Sequence, residues 1–278
     1  MRALLEAGDE LGYDTAWLPD HVAVPDYARE ANLRPPFLEP VATIAWALGW
    51  TKRLVFGTDV LVAPYRHPLL AAAMAGTLAR LCGPRLILGT GVGYLRGEFA
   101  ALGLDYDARG AATDAFLEQF RSPPSDLAVM PTEDVPVWVG GNNRRAQRRA
   151  AIAGDGWHPL WMPPDEYAAA RERIVTLRAE HNRTGEFRFS FSAAATALLD
   201  APRAAWPPPA AHAEGEFSYA PPAWVDDDDR PRMVGTPDQV VGDLRLLEAA
   251  GVDHVTLRFG NADVAQLERF AREVRPAF

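Results

Sequence analysis

Five places in the chain set chemically useful residues where a predicted strand runs out. Asp20-His21 puts a carboxylate beside an imidazole, the side chain whose ordinary pKa lies closest to neutrality and which suits general acid–base work. A histidine tied to Asp20 or to a loop carbonyl would explain the same pair without catalysis. Thr58-Asp59-Val60 closes a second apolar run. Gly89-Thr90-Gly91-Val92-Gly93-Tyr94 is a glycine-rich turn ending in a phenol, and it lacks the lysine and hydroxyl residue of a P-loop. Gly140-Gly141-Asn142-Asn143 stands between a strand and a helix, where backbone N–H groups and the helix dipole can meet a phosphate. A tight turn with an asparagine cap is the plainer alternative there. His158 ends a short strand, whereas His67, just before Pro68, reads as structural. No H-E-x-x-H spacing occurs, so no metal is expected, and no G-x-S-x-G occurs, which disfavours a serine hydrolase.

The elements that must position these residues alternate between short apolar runs and helical stretches, the pattern of βαβ units on a parallel sheet. Strands are expected at 14–19, 53–58, 85–89, 136–140, 156–158, 187–199 and 253–258. Helices are expected at 2–12, about 38–50, 68–82, 110–121, 143–153, 164–181 and 237–250, with one more at the end of the chain. An α/β fold of the TIM (β/α)8 barrel type accommodates this order, and its sites gather at the carboxyl ends of the strands. The count reaches seven strands, because the one expected before the first helix is missing. The segment 200–232 breaks the rhythm with Pro202, Pro207-Pro208-Pro209, Pro221-Pro222 and the acid run Asp226 to Asp229. It is expected to be an irregular excursion, a lid over the barrel mouth.

With 278 residues, 48% of them hydrophobic, the chain can bury one large core, and a single domain over 1–278 is expected. The net charge of −9 argues against a nucleic-acid surface. The start, Arg2 to Ala7, is amphipathic rather than the apolar centre of a signal peptide, and no apolar run approaches the roughly 20 residues that span a bilayer. A cytoplasmic protein with a small-molecule substrate and no membrane partner is therefore expected. The single cysteine, Cys82, rules out an internal disulfide.

Five ordered blocks resemble the luciferase-like oxidoreductases: ELGYDTAWLPDHV (10–22), RLVFGTDVLVAPYRHPLLAA (53–72), GPRLILGTGVGYLRGEFAALGLDYDARG (83–110), VPVWVGGNNRRAQRRAAIAGDGWHP (136–159) and VGTPDQVVGDLRLLEAAGVDHVTLRF (234–259). The resemblance spans most of the chain outside 120–135 and 200–232, and is nearest the branch that uses the deazaflavin coenzyme F420 rather than FMN. It implies a (β/α)8 barrel with the cofactor ring at the carboxyl-end mouth, and a homodimer. By this resemblance His21 matches the histidine that assists proton or hydride transfer beside the ring. Asp59-Val60 matches a non-prolyl cis peptide that supports the ring, and Gly140, Gly141, Asn142 and Asn143 match the phosphate loop. Thr58, Gly91, Gly93 and His158 join them as candidate cofactor contacts.

The chain also departs from the family pattern. The linker 120–135 is short, and 200–232 is proline-rich where the family has a helix. Asp59 replaces a small neutral residue, and its charge would repel a reduced, anionic ring unless desolvation kept it protonated. Tyr94 stands where some F420 members carry an acidic glutamate. The expected function is an F420-dependent, alternatively FMN-dependent, oxidoreductase or monooxygenase, with Asp20, His21, Asp59 and Tyr94 as candidate catalytic groups. Two alternatives remain open: a barrel that has dropped its flavin for cofactor-independent cyclisation or isomerisation, and a non-catalytic partner subunit.

Overall fold

A computed structural model describes residues 1–26, 37–202, 233–259 and 264–278; from residue 203 onward the expected lid lies outside the described residues. Helix α1 (Arg2–Leu11) ends at Gly12, whose left-handed φ of 76° turns its N–H back to the Gly8 carbonyl. The elements β1 (Thr15–Leu18), α2 (Pro40–Leu48), β2 (Val55–Thr58), β3 (Leu61–Val62), α3 (Pro68–Cys82), β4 (Leu86–Gly91), α4 (Arg96–Ala101) and α5 (Arg109–Arg121) follow. Then come β5 (Val137–Gly140), α6 (Arg144–Ala153), β6 (Gly156–His158), α7 (Pro164–Glu180), β7 (Arg188–Ser192), β8 (Ala197–Leu198), β9 (Val234–Gly235), α8 (Pro237–Ala249), β10 (His254–Thr256) and α9 (Val264–Glu273). Proline at the first helical turn starts α2, α3, α7 and α8, where its missing N–H costs nothing.

Among the described residues, seven strands run in the order β1-β2-β4-β5-β6-β7-β10, all parallel, with β3 added alongside β4. The result is a nearly closed parallel barrel. It stays open along a seam between β10 and β1, which do not pair. Side chains bridge that seam: His254 Nε2 lies 3.1 Å from Thr15 Oγ1, and the Tyr13 hydroxyl donates to the Leu267 carbonyl at 2.8 Å. At the same edge Arg275 donates to the Leu11 carbonyl at 2.7 Å.

The core lies between the sheet and its helices, where Phe56, Leu86, Leu88, Val137, Val139 and Phe191 join Ile44, Phe116, Leu117, Ala150, Tyr167 and Ile174. Parallel strands buried on both faces read as continuous apolar runs, which is why their positions were visible in the sequence. The inside of the barrel is different. Trp17 lies flat over Gly57 and against Gly89, where a Cβ would overlap the indole or the Thr58 carbonyl. Its ring stacks on His158 (4.5 Å between centroids, 13° between planes) and sits 5.2 Å from Trp138. Glycine on β2 and β4 thus makes room for one tryptophan to fill the barrel centre.

Three details differ from expectation. The run 187–199 is two strands: β7 stops at Ser192, and β8 leaves the ring to pair with β9. Strand β4 continues through Gly91, so Thr90 and Gly91 are strand residues rather than part of the turn. Three short elements, β3, α4 and β9, were not expected, since two to six residues carry too little periodicity to register.

Candidate active site at the barrel mouth

His21 follows β1 and Tyr94 follows β4, and the structure brings them together around a buried glutamate, Glu98, on α4. His21 Nδ1 lies 3.0 Å from Glu98 Oε2, and the Tyr94 hydroxyl lies 3.1 Å from His21 Nε2. Glu98 Oε1 accepts from the Val22 and Ala23 N–H groups at 2.7 and 3.0 Å, and Tyr65 donates its hydroxyl to Oε2 at 3.2 Å. Burial alone would raise the Glu98 pKa, but His21 and the two backbone donors outweigh it and hold the carboxyl below its ordinary range. Burial, then the Glu98 carboxylate, pushes the Tyr65 phenol up, so Tyr65 stays a donor. An ionised Glu98 has no proton to give, so His21 donates from Nδ1 and offers its Nε2 lone pair to Tyr94. The pattern is a Tyr94–His21–Glu98 relay with its imidazole tautomer fixed from behind.

Asp20 does not join this relay, although it adjoins His21 in sequence. Its carboxylate is fully buried and takes a two-pronged ion pair from Arg66, at 2.5 and 2.9 Å, and the Val62 N–H at 2.8 Å. Arg66 also reaches Glu39 at 2.7 Å. Asp20 therefore ties the β1 loop to β3 and the chain after it, with its buried carboxylate already taken up by Arg66 and the Val62 N–H. The structure assigns it a scaffold position.

Asp59 lies across the mouth, and the Asp59–Val60 peptide is cis. One carboxylate oxygen is 3.2 Å from His158 Nε2; the other accepts from Arg258 Nη2 at 3.0 Å and Ser192 Oγ at 3.4 Å. His158 is held on its far side by Ser190 Oγ, 2.6 Å from Nδ1. Burial works to raise the Asp59 pKa, but His158, Arg258 and Ser192 together bring it to about 2. Desolvation therefore does not keep Asp59 protonated; these contacts favour the carboxylate, whose charge is offset by the Arg258 ion pair.

Val60 turns its side chain toward β4 and β5. A Cβ on Gly91 would come within 2.6 Å of Val60 Cγ2, and one on Gly140 within 2.8 Å of Cγ1, so these glycines exist to seat Val60. Gly141 takes φ of 111° to start α6, where Asn143 caps the helix by accepting from the Ala146 N–H at 2.9 Å. Asn142 locks the β5 and β6 loops together through both amide atoms, giving to the Leu160 carbonyl at 3.1 Å and taking from its N–H at 3.0 Å. The helix then presents its first N–H groups among the exposed Arg144, Arg145 and Arg148. Gly93, with φ of 75°, shapes the turn before Tyr94. Thr58 is the exception among the expected contacts. Its hydroxyl donates to the Gly89 carbonyl at 2.6 Å, and its side chain faces the apolar layer beside Ile44, Leu61 and Ala75 rather than the mouth.

Sequence reasoning passed over Glu98, Arg66, Ser190, Ser192 and Arg258. Arg258 had a usable signal, since it lies just past the last barrel strand, the position that marked the others. Among the described residues no group of His, Cys, Asp and Glu could hold a metal, and no helix is long and apolar enough to cross a membrane.

Residues 1–254 match the family described as Luciferase-like monooxygenase. An uncharacterized protein of Mycobacterium tuberculosis is 32% identical over 211 residues, covering 66% of this chain and 73% of that one. The 4-hydroxyprotoasukamycin monooxygenase of Streptomyces nodosus subsp. asukaensis is 30% identical over 210 residues, covering 65% of this chain and 54% of that enzyme. Among solved structures, an F420-dependent secondary alcohol dehydrogenase in complex with an F420-acetone adduct has a TM-score of 0.78 at 16% identity, covering 99% of this chain and 93% of that one. The matched span and the barrel agree, and the chain belongs to the luciferase-like monooxygenase family.

Proposed function

We propose that the protein is an oxidoreductase that binds coenzyme F420, alternatively FMN, at the barrel mouth and acts on a small organic substrate. The observation that carries this reading is the Tyr94–His21–Glu98 relay, set at the same sheet edge as a glycine-and-helix anion cradle. Relatives named as a monooxygenase and, by fold, an F420-dependent dehydrogenase support it. The residues present suit such a group. Val60 forms an apolar shelf because Gly91 and Gly140 lack side chains, and the α6 amino end with Arg144 and Arg145 suits a phosphate. When bound, the ring supplies the hydride chemistry.

The chain's own part is to bind, orient and move a proton. Gly140, Gly141 and Asn143 would hold the phosphate, and Val60 would support the ring. A substrate hydroxyl that loses its proton would pass it through Tyr94 to His21 Nε2, and the Glu98 carboxylate would stabilise the imidazolium through Nδ1–H. In the reverse direction the same relay returns the proton. Titrating the protein with F420 and separately with FMN, following ring fluorescence, tests the reading. Micromolar binding of either ring supports it, and binding of neither overturns it. With a ring bound, His21→Ala should lower turnover by about 10²–10⁴-fold at unchanged cofactor affinity.

A further inference from the structure

Asp59 is unusual for its surroundings: three other strands deliver polar side chains to its carboxylate under the mouth. His158 comes from β6, Ser192 from β7 and Arg258 from just beyond β10, while Asp59 follows β2. The Asp59 side chain is 10% exposed and that of His158 is not exposed at all, whereas Arg258 keeps 38%. The next residue, Val60, points its methyl groups the other way, into the space left by Gly91 and Gly140. One peptide therefore separates an apolar shelf from a buried carboxylate, and the guanidinium that balances the carboxylate reaches the mouth.

We infer that Asp59 and Arg258 form a charge-setting pair beneath the ring site, with Arg258 the positioning residue that permits a carboxylate there. The inference rests on the ring-binding reading above. A ring that accepts electrons gains negative character, and a nearby unit charge in a partly dry site acts on it far more strongly than it would in water. The two charges of the pair cancel in the native protein. Removing Arg258 leaves a net negative site that disfavours the reduced ring, and removing the Asp59 charge leaves a net positive one that favours it. A purely structural role would not produce opposite signs.

The test is the midpoint potential of protein-bound FMN or F420, whichever binds, measured by dye-referenced titration for the wild type, Arg258→Gln, Asp59→Asn and the double variant. Arg258→Gln should weaken binding of the reduced ring relative to the oxidised ring about tenfold, a fall of about 30 mV for a two-electron couple. Asp59→Asn should shift the potential upward, and the double variant should return to within about threefold of the wild-type ratio. Arg258→Lys, which keeps the charge, should retain the wild-type potential even if affinity falls, which separates charge from fold. Shifts of equal sign, or four indistinguishable potentials in proteins that bind the ring, overturn the inference and leave the function standing. A wild type that binds neither ring overturns both.

Discussion

At the scale of single residues, the interior of this barrel is controlled by where protons and charges are allowed to rest. His254 sits among Trp17, Trp138 and Thr15; burial, helped by His158 and Arg188, pushes its pKa down to about 4 from 6.5. The unfolded chain therefore takes up a proton that the folded chain refuses. Stability should be level above about pH 6.5 and fall between pH 6.5 and 4, by about 1.4 kcal/mol per unit and about 3 kcal/mol in total. Thermal unfolding from pH 7 to 4 checks this, and His254→Gln should flatten the slope; an unchanged slope in that variant would assign the effect elsewhere. Asp20→Asn should cost about 3 kcal/mol in chemical denaturation, because it removes the buried partner of Arg66 and leaves that charge only the half-exposed Glu39. A loss below 1 kcal/mol would contradict the scaffold assignment. The residue types at the strand ends were enough to pick out His21, Tyr94, Asp59 and His158. Glu98, which meets His21 across 77 residues, and Arg66, which meets Asp20 across 46, were not legible, because such separations leave no local pattern.

At the scale of elements, most of the design is written locally. Apolar runs bounded by glycine gave the barrel strands to within a residue or two, and proline and glycine marked most helix ends. The exceptions have a common cause. Strands β3, β8 and β9 hold two residues each, too few for any period, and the break after Ser192 is imposed by the pairing of β8 with β9. Close contact between strands is the feature that sequence announces only as a bare glycine. Gly89 leaves no room for a methyl group against the Thr58 carbonyl, so Gly89→Ala should destabilise by about 3 kcal/mol through forced backbone movement. Gly103→Ala makes a useful contrast. Its Cβ would meet nothing within 4 Å, leaving only the strain of its φ of 69°, so the loss should be clearly smaller. Equal losses in the two variants would show that crowding at Gly89 is relieved at no cost.

For the molecule as a whole, the seam is the defining departure from a fully closed barrel. Among the described residues, strands β1 and β10 each carry one edge of backbone groups without a strand partner, and side chains span the gap instead. Local opening should therefore start there. In native-state hydrogen exchange, amides of β1 and β10 should exchange faster than those of β4 and β5, which pair on both sides. Uniform protection around the ring would mean that the side-chain bridges close the barrel as firmly as a ladder does. The count of seven barrel strands was readable from the sequence, but the bridging residues were not, because Thr15 and His254 have no reason to be associated until the ring curves round.

Those bridges join Thr15 to His254, Tyr13 to Leu267 and Leu11 to Arg275, separations of 239, 254 and 264 residues. During synthesis β1 and the broad face of Trp17 are made at least 239 residues before the residues that close over them. Over that interval the nascent barrel lacks its closing side chains and leaves an aromatic lining uncovered, the kind of surface that chaperones shield. The barrel is in this sense closed by α9, and changes to that helix should show up first as poor yield of folded protein rather than as a damaged site.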